Sequence, residues 1–239
     1  MLRSDHVTNV LLAMIVALLA VGIFRPTVVG FLDRSEARGP RFGERTFTEW
    51  QGYLQDLSPA VRQRAVEALG YFGPKAVPVL IQSLGRDASV DVRVAAAGAL
   101  GALGQAAREA TPALLEASTA PEPRVRASAT LALAKVGREV EETVPALIRA
   151  LEDAEPAVRF AAAQALGGMG LTASEAVPGL VRTLRDPNPS VQQEAIRALG
   201  NVGPAARAAT ADLRKLAEND QLRSLRPTVA QALAKIEGR

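Results

Sequence analysis

The 239-residue chain has no cysteine and one histidine, His6. Without thiols it can form no disulfide, no thiolate metal site and no cysteine nucleophile. With its one imidazole at the extreme amino terminus, the remainder can assemble neither a Ser-His-Asp relay nor a histidine-ligated metal. Aromatics are scarce at 4%, and lysine is rarer still, with 4 Lys against 24 Arg. Charge of one sign is missing as well. Residues 47–239 hold 22 Lys and Arg against 21 Asp and Glu. The chain's pI of about 9.7 therefore misleads, because the bulk of the protein lacks the basic field that phosphate neutralisation requires. A nucleic-acid partner is not expected.

What is present is a repeat. Val, then Ala four residues on, Ala-Leu at seven and eight, and Gly at twelve recur from Val61, Val92, Val125, Val158 and Val191, with a weaker copy from Leu225. Self-similarity at 31 to 34 residues marks a stack of supersecondary units. Apolar residues at 0, +4, +7, +8 and +11 form one stripe of a 3.6-residue helix. The Gly at +12 (Gly73, Gly104, Gly137, Gly170, Gly203) is expected to stop that helix in a left-handed turn. Five or eight residues later Pro78, Pro112, Pro145 and Pro178 each precede an apolar run, and a proline tolerated only in a first turn places the next helix from there onward. Each unit is thus a helical hairpin. Ala at +4 and +7 lets neighbouring backbones approach closely.

These residues resemble the short HEAT-like repeats of the phycobilisome-lyase type, whose units read Ala-Val-Pro-Ala-Leu, Asp, Val-Arg and Ala-Leu-Gly. The resemblance covers residues 47–239 and implies an all-α, right-handed α-solenoid of about six antiparallel hairpins. Tetratricopeptide and ankyrin repeats have similar periods, but their Trp and Tyr positions and Thr-Pro-Leu-His motif are missing. The resemblance also gives a role to a second ladder. Asp56, Asp87, Asp153, Asp186 and Asp220 stand five residues before each pattern start, and Arg62, Arg93, Arg126, Arg159 and Arg226 follow it. In HEAT repeats such residues cap turns and link adjacent units, so Asp87, Arg93, Arg126, Asp153, Arg159 and Asp186 are read as structural. Ala120 replaces the Asp of copy three and Gln192 the Arg of copy five.

No catalytic set converges. Glu141-Glu142 and Glu152-Asp153-Glu155 could hold a hard cation, but they read as solvated helix ends. Positions +3, +6 and +10 of the pattern helices offer a surface for a helix or peptide: Arg64, Glu67, Tyr71; Ala95, Gly98, Ala102; Ser128, Leu131, Lys135; Ala161, Gln164, Gly168; Glu194, Arg197, Asn201. Six of the aromatics crowd residues 42–72. They read as an amino-terminal cap that also offers Trp50, Tyr53 and Tyr71 to a partner. At the other end Ala211 replaces the proline, and Arg214 an apolar residue, as a polar closing cap would.

Ahead of the array, Val7 to Phe24 is 18 residues without a charge, enough to cross roughly 27 Å of bilayer at about 1.5 Å per residue. Residues 1–24 are expected to be one hydrophobic helix anchoring the protein in a membrane. A cleaved signal peptide is the rival, since Ala20-Val21-Gly22 resembles a cleavage site. Arg25, Arg34, Arg38 and Arg41 argue for a cytoplasmic array, whereas short bacterial anchors commonly export the domain behind them. Residues 25–46 read as a charged flexible linker. The expectation is a membrane-tethered, non-enzymatic scaffold binding a protein or peptide through Trp50, Tyr53, Arg64, Tyr71, Leu131, Lys135, Gln164 and Arg197. No cofactor, metal, small-molecule substrate or nucleic acid is expected. A chromophore-lyase-like subunit and a nucleic-acid-binding HEAT protein are the alternatives.

Overall fold

The computed structural model describes residues 41–137 and 140–238. The chain divides into two units, Met1–Thr46 and Phe47–Arg239. The described part of the first is a ribbon: β1 (Arg41–Phe42) pairs antiparallel with β2 (Arg45–Thr46) around Gly43 at φ 63°. Residues 41–46 of the expected linker thus have structure of their own. The hydrophobic segment lies outside the described residues, among which no helix is long and apolar enough to cross a membrane.

The second unit is an α-solenoid of six hairpins. Helix α1 (Phe47–Gly52) runs on as a 3-10 turn to Gln55 and pairs with α2 (Pro59–Gly70). Then follow α3 (Val77–Arg86) with α4 (Val90–Leu103), and α5 (Thr111–Ala117) with α6 (Pro123–Val136). Next come α7 (Val140–Ala150) with α8 (Pro156–Met169), α9 (Val177–Thr183) with α10 (Pro189–Val202), and α11 (Thr210–Glu218) with α12 (Arg226–Glu237). The even-numbered helices carry the repeated pattern and pack side by side in one layer, and each odd-numbered helix packs against its even partner.

The apolar stripe does what its period predicts. Leu69, Leu100, Leu133, Leu166 and Leu199 at +8 are fully buried, as are Leu80, Leu114, Leu147, Leu180 and Leu213 of the odd helices. Two leucine files therefore face each other along the array, each side chain contributing roughly 1.5–3 kcal/mol by leaving water. Phe47, Trp50 and Leu54 pack on the first repeat's core, and the Phe47 ring meets Phe72 edge-on at 5.6 Å.

Two expectations fail at one place. Gly73, Gly104, Gly170 and Gly203 have positive φ, but Gly137 is extended at φ −87°. Its glycine serves space, since a Cβ there would lie 2.6 Å from Thr143 Oγ1. The following helix, α7, then begins five residues before its proline, so Pro145 sits inside the helix while its counterparts occupy first turns. The reason is local. From Val140 the chain is already α-helical where its counterparts are in a 3-10 turn, so Pro145 falls inside the helix, where it lacks the N–H that would reach back one turn.

A close approach between repeats lies at a position that the apolar pattern did not single out. At +9, just before the exposed row, Gly70, Gly101, Gly167 and Gly200 face Ala99, Ala132, Ala198 and Ala232 at +7 of the next even helix. A Cβ on Gly200 would stand 2.9 Å from Ala232 Cα, and one on Gly167 3.0 Å from Ala198 Cα. Gly168, one residue further, would meet nothing within 4 Å. Gly200→Ala is expected to lower stability by roughly 1–3 kcal/mol through overpacking. Gly168→Ala should raise it by roughly 0.5–1 kcal/mol through helix propensity. Denaturant unfolding of the two variants measures both, and a stabilising Gly200→Ala would refute the close-packing account.

Candidate functional site

The turns between odd and even helices are joined by a ladder whose direction the structure defines. Arg62 Nε and Nη2 donate to Asp87 of the next repeat at 2.7 and 2.8 Å, while its Nη1 donates to the carbonyls of Asp56 and Leu57 in its own turn. Arg126 repeats this on Asp153 at 2.8 Å for both bonds, with the Ala120 and Pro121 carbonyls. Arg159 does so on Asp186 at 2.6 and 2.9 Å, with the Asp153 and Ala154 carbonyls. Each aspartate also accepts a backbone N–H from its own turn: Ser89, Glu155 and Asn188 for these three, and Ser58 for Asp56. A planar fork with five donors suits this geometry, and a lysine would not replace it.

These contacts set the charge states. The Arg62 hydrogen bond holds the Asp87 carboxyl below its usual range against the opposing effect of burial, and Arg126 acts likewise on Asp153. At Asp186 burial is the largest influence and pushes the carboxyl up. The Arg159 hydrogen bond, the Asn188 N–H and the guanidinium charge together outweigh it, so the net shift is down. The ladder is thus an ionised structural device.

It fails where the sequence departs from the pattern. Opposite Ala120, Arg93 pairs instead with Glu122 at 2.8 Å, and its buried Nε finds no acceptor. Gln192, in the arginine position, has a buried Oε1 with no donor. Both belong to the described residues. The carboxylate clusters are likewise spoken for or solvated. Glu152 holds Arg182 at 2.7 Å and Asp153 holds Arg126, while Glu141 and Glu142 lie exposed in the first turn of α7. Among the described residues no group of three acidic or histidine side chains is placed to hold a metal ion.

The even-helix face is different. Of the expected partner residues, Arg64, Lys135, Gln164 and Arg197 are exposed, Tyr71 is 73% exposed, and Leu131 is partly buried. Trp50 and Tyr53 are also partly buried, 5.7 Å apart ring to ring, so they belong to the cap more than to this face. Ala161, expected in the row, is buried at 2%. In the sixth copy Thr228, Gln231 and Lys235 extend the rows, a continuation that the weakness of that copy hides in the sequence. Two hollows open between neighbouring helices of this face. One of about 610 Å³ is walled by Glu67, Gly70, Tyr71, Ala95, Gly98, Ala99, Ala102 and Leu103. Another of about 180 Å³ is lined by Glu194, Arg197, Gly200, Asn201, Thr228, Gln231, Ala232 and Lys235. A polar cleft of about 360 Å³ around the first rung, from Leu54 to Ala88, includes Asp87 and Arg62, which already hold each other.

Comparison with known proteins agrees with this geometry. The HEAT-repeat model matches residues 50–134, 111–185 and 177–239. An engineered protein of known structure is 23% identical over 80% of this chain and 96% of its own, with a TM-score of 0.56. A designed armadillo repeat protein in complex with the peptide (KR)4 is 20% identical over 78% of this chain and 99% of its own, with a TM-score of 0.57. The complex of CpcE and CpcF of phycocyanin lyase from Nostoc sp. PCC7120 shows 27% identity, covering 84% of this chain and 79% of that one, with a TM-score of 0.58. No curated protein sequence matches.

The rungs predict both an acid sensitivity and a repair. Carboxyls lowered in the folded state contribute stability that is complete above the unfolded aspartate value of about 3.9 and is lost as pH falls through the lower folded value. The denaturant midpoint should therefore fall between pH 5 and 3, less steeply in Asp153→Asn. Arg126→Ala should cost roughly 1–3 kcal/mol without any ligand present. Ala120→Asp, which gives Arg93 its missing acceptor, should raise the thermal midpoint. A lowered midpoint in Ala120→Asp would contradict the rung geometry.

Proposed function

The chain belongs to the HEAT-repeat family, and we propose that it is a non-enzymatic scaffold that receives a protein or peptide on the exposed face of its even-numbered helices. The observation that carries this reading is the division of labour between the two surfaces. In three rungs of the turn ladder arginine and aspartate are closed on each other, whereas the even-helix face leaves Tyr71, Lys135, Gln164 and Arg197 exposed, with Tyr71 lining one hollow and Arg197 another. Solenoids use such extended faces for binding. That an armadillo repeat protein of similar fold was solved with a bound peptide supports the class of partner.

The membrane tether remains part of the proposal, supported by the 18 uncharged residues from Val7 to Phe24. The same proposal keeps the boundaries read from the sequence, with a linker over residues 25–46 and the array from Phe47 onward. A second reading, a lyase-like subunit, is favoured by the likeness to the phycocyanin lyase proteins. Adding bilin and an acceptor protein and looking for a covalent adduct separates the two.

The scaffold reading is tested by placing a photo-crosslinking amino acid at Gly98 or Gln164, on the even face, and at Gln82, exposed on α3. A partner captured from native membranes by the first two positions and not by the third is the expected result. Capture only at Gln82 would move the binding surface to the odd helices. Full-length protein should also sediment with membranes and resist carbonate, whereas a chain starting at Arg45 should stay soluble. Intact protein in the soluble fraction would remove the tether.

A further inference from the structure

The array is almost neutral, yet exposed cations with no carboxylate partner among the described residues recur along the even-helix face, beginning with Arg64 on α2. In the row at +10, Lys135 is exposed and has no carboxylate partner among the described residues. Lys235, in the same row of the sixth copy, donates to the neutral Asn201 Oδ1 at 2.8 Å, which holds the ammonium in place without cancelling its charge. Arg197 lies between them but already has Glu194 at 3.2 Å. The face from its third even helix to its sixth therefore carries two lysines whose counter-charge has to come from outside. At the other end of the face the hollow between α2 and α4 is walled by Tyr71, Gly98 and Ala102 and offers mostly apolar lining.

We propose, building on the scaffold reading, that this face binds an extended acidic segment of a protein partner, with an apolar side chain in the α2/α4 hollow and carboxylates on Lys135 and Lys235. Helices packed side by side stand about 8–10 Å apart, which puts the lysines of α6 and α12 roughly 24–30 Å from each other. An extended chain advances about 3.3 Å per residue, so the two carboxylates belong about eight residues apart. The apolar anchor precedes the first of them by about four. A peptide crossing the helices in this way meets the lysine charges at contact distance. Duplex nucleic acid fits less well, because two unpaired lysines neutralise few phosphates and give the hollow no role. The sign is opposite to that of the (KR)4 peptide seated on the designed armadillo repeat protein.

The test selects from a random 16-residue peptide library displayed against the immobilised full-length chain in detergent. Enriched peptides should carry an apolar residue followed by acidic ones, and the Lys135→Glu, Lys235→Glu double variant should weaken them at least tenfold with an unchanged thermal midpoint. Gly98→Trp, which fills the hollow at an exposed position, should weaken them as well. Enriched peptides that Gly98→Trp blocks but the lysine reversals leave alone would overturn the acidic assignment and keep the scaffold. Basic peptides enriched on this face, or duplex DNA bound more tightly and with steep salt dependence, would overturn it too. No enriched peptide together with no capture at Gly98 or Gln164 would sink both readings.

Discussion

The array depends on how closely one even helix can approach the next. Gly at +9 against Ala at +7 leaves only the alanine Cβ between the two backbones, and a Cβ on Gly200 would stand 2.9 Å from Ala232 Cα; α6 alone of the first five pattern helices has Ala134 at this position. The leucines at +8 are then driven inward toward the odd helices, where they are fully buried. The turns come close enough for an arginine to span from one repeat to the aspartate of the next. A face built from such tightly spaced helices has little room between rows, and its larger hollow opens where the row positions are Ala95, Gly98 and Ala102. The leucine files and the α2/α4 hollow follow from that close packing, while the Arg126–Asp153 rung, formed with Ala134 at +9 of α6, shows that a small residue there is enough for the turns to meet.

The ladder adds orientation to this packing. Each guanidinium ties three things at once: the carbonyls of its own turn, the carboxylate of the next, and through that carboxylate a backbone N–H of the following helix. A bond set of this kind fixes the angle between repeats, which packing of smooth alanine surfaces leaves poorly determined. Because the carboxylates are tied down by hydrogen bonds, their charge supports the fold and does not advertise a binding site.

Periodicity told which residues share a face, and that was enough for the hairpins, the leucine files and the existence of the ladder. It could not tell which neighbour a residue meets across the interface. Arg62 reaching Asp87, and Glu122 standing in for the absent acid at Ala120, depend on the offset between repeats, and that offset is fixed by packing. Gly137 looked identical to the other +12 glycines, yet it is kept by Thr143 in space and not by backbone handedness. The candidate face was readable as rows of residues, but the burial of Ala161 and the arrival of Lys235 in the row required neighbouring helices to be in place. Residues 1–40 lie outside the described residues, so the anchor rests on hydropathy alone.

The two imperfect rungs have a mechanical meaning. A chain of units coupled only to nearest neighbours opens first at its weakest junction, and that junction sets where one cooperative block ends and another begins. Arg93 with an orphaned nitrogen and Gln192 without a donor mark such junctions after the second and fifth repeats. Between them, repeats three to five are clamped by two complete forks. Neither junction is bare: Arg93 still holds Glu122 and Arg124 holds Asp91 across the first, and Gly200 packs on Ala232 while Lys235 reaches Asn201 across the second. The two imperfect rungs therefore mark where backbone packing and substitute side-chain pairs replace the guanidinium fork in carrying the coupling from one repeat to the next.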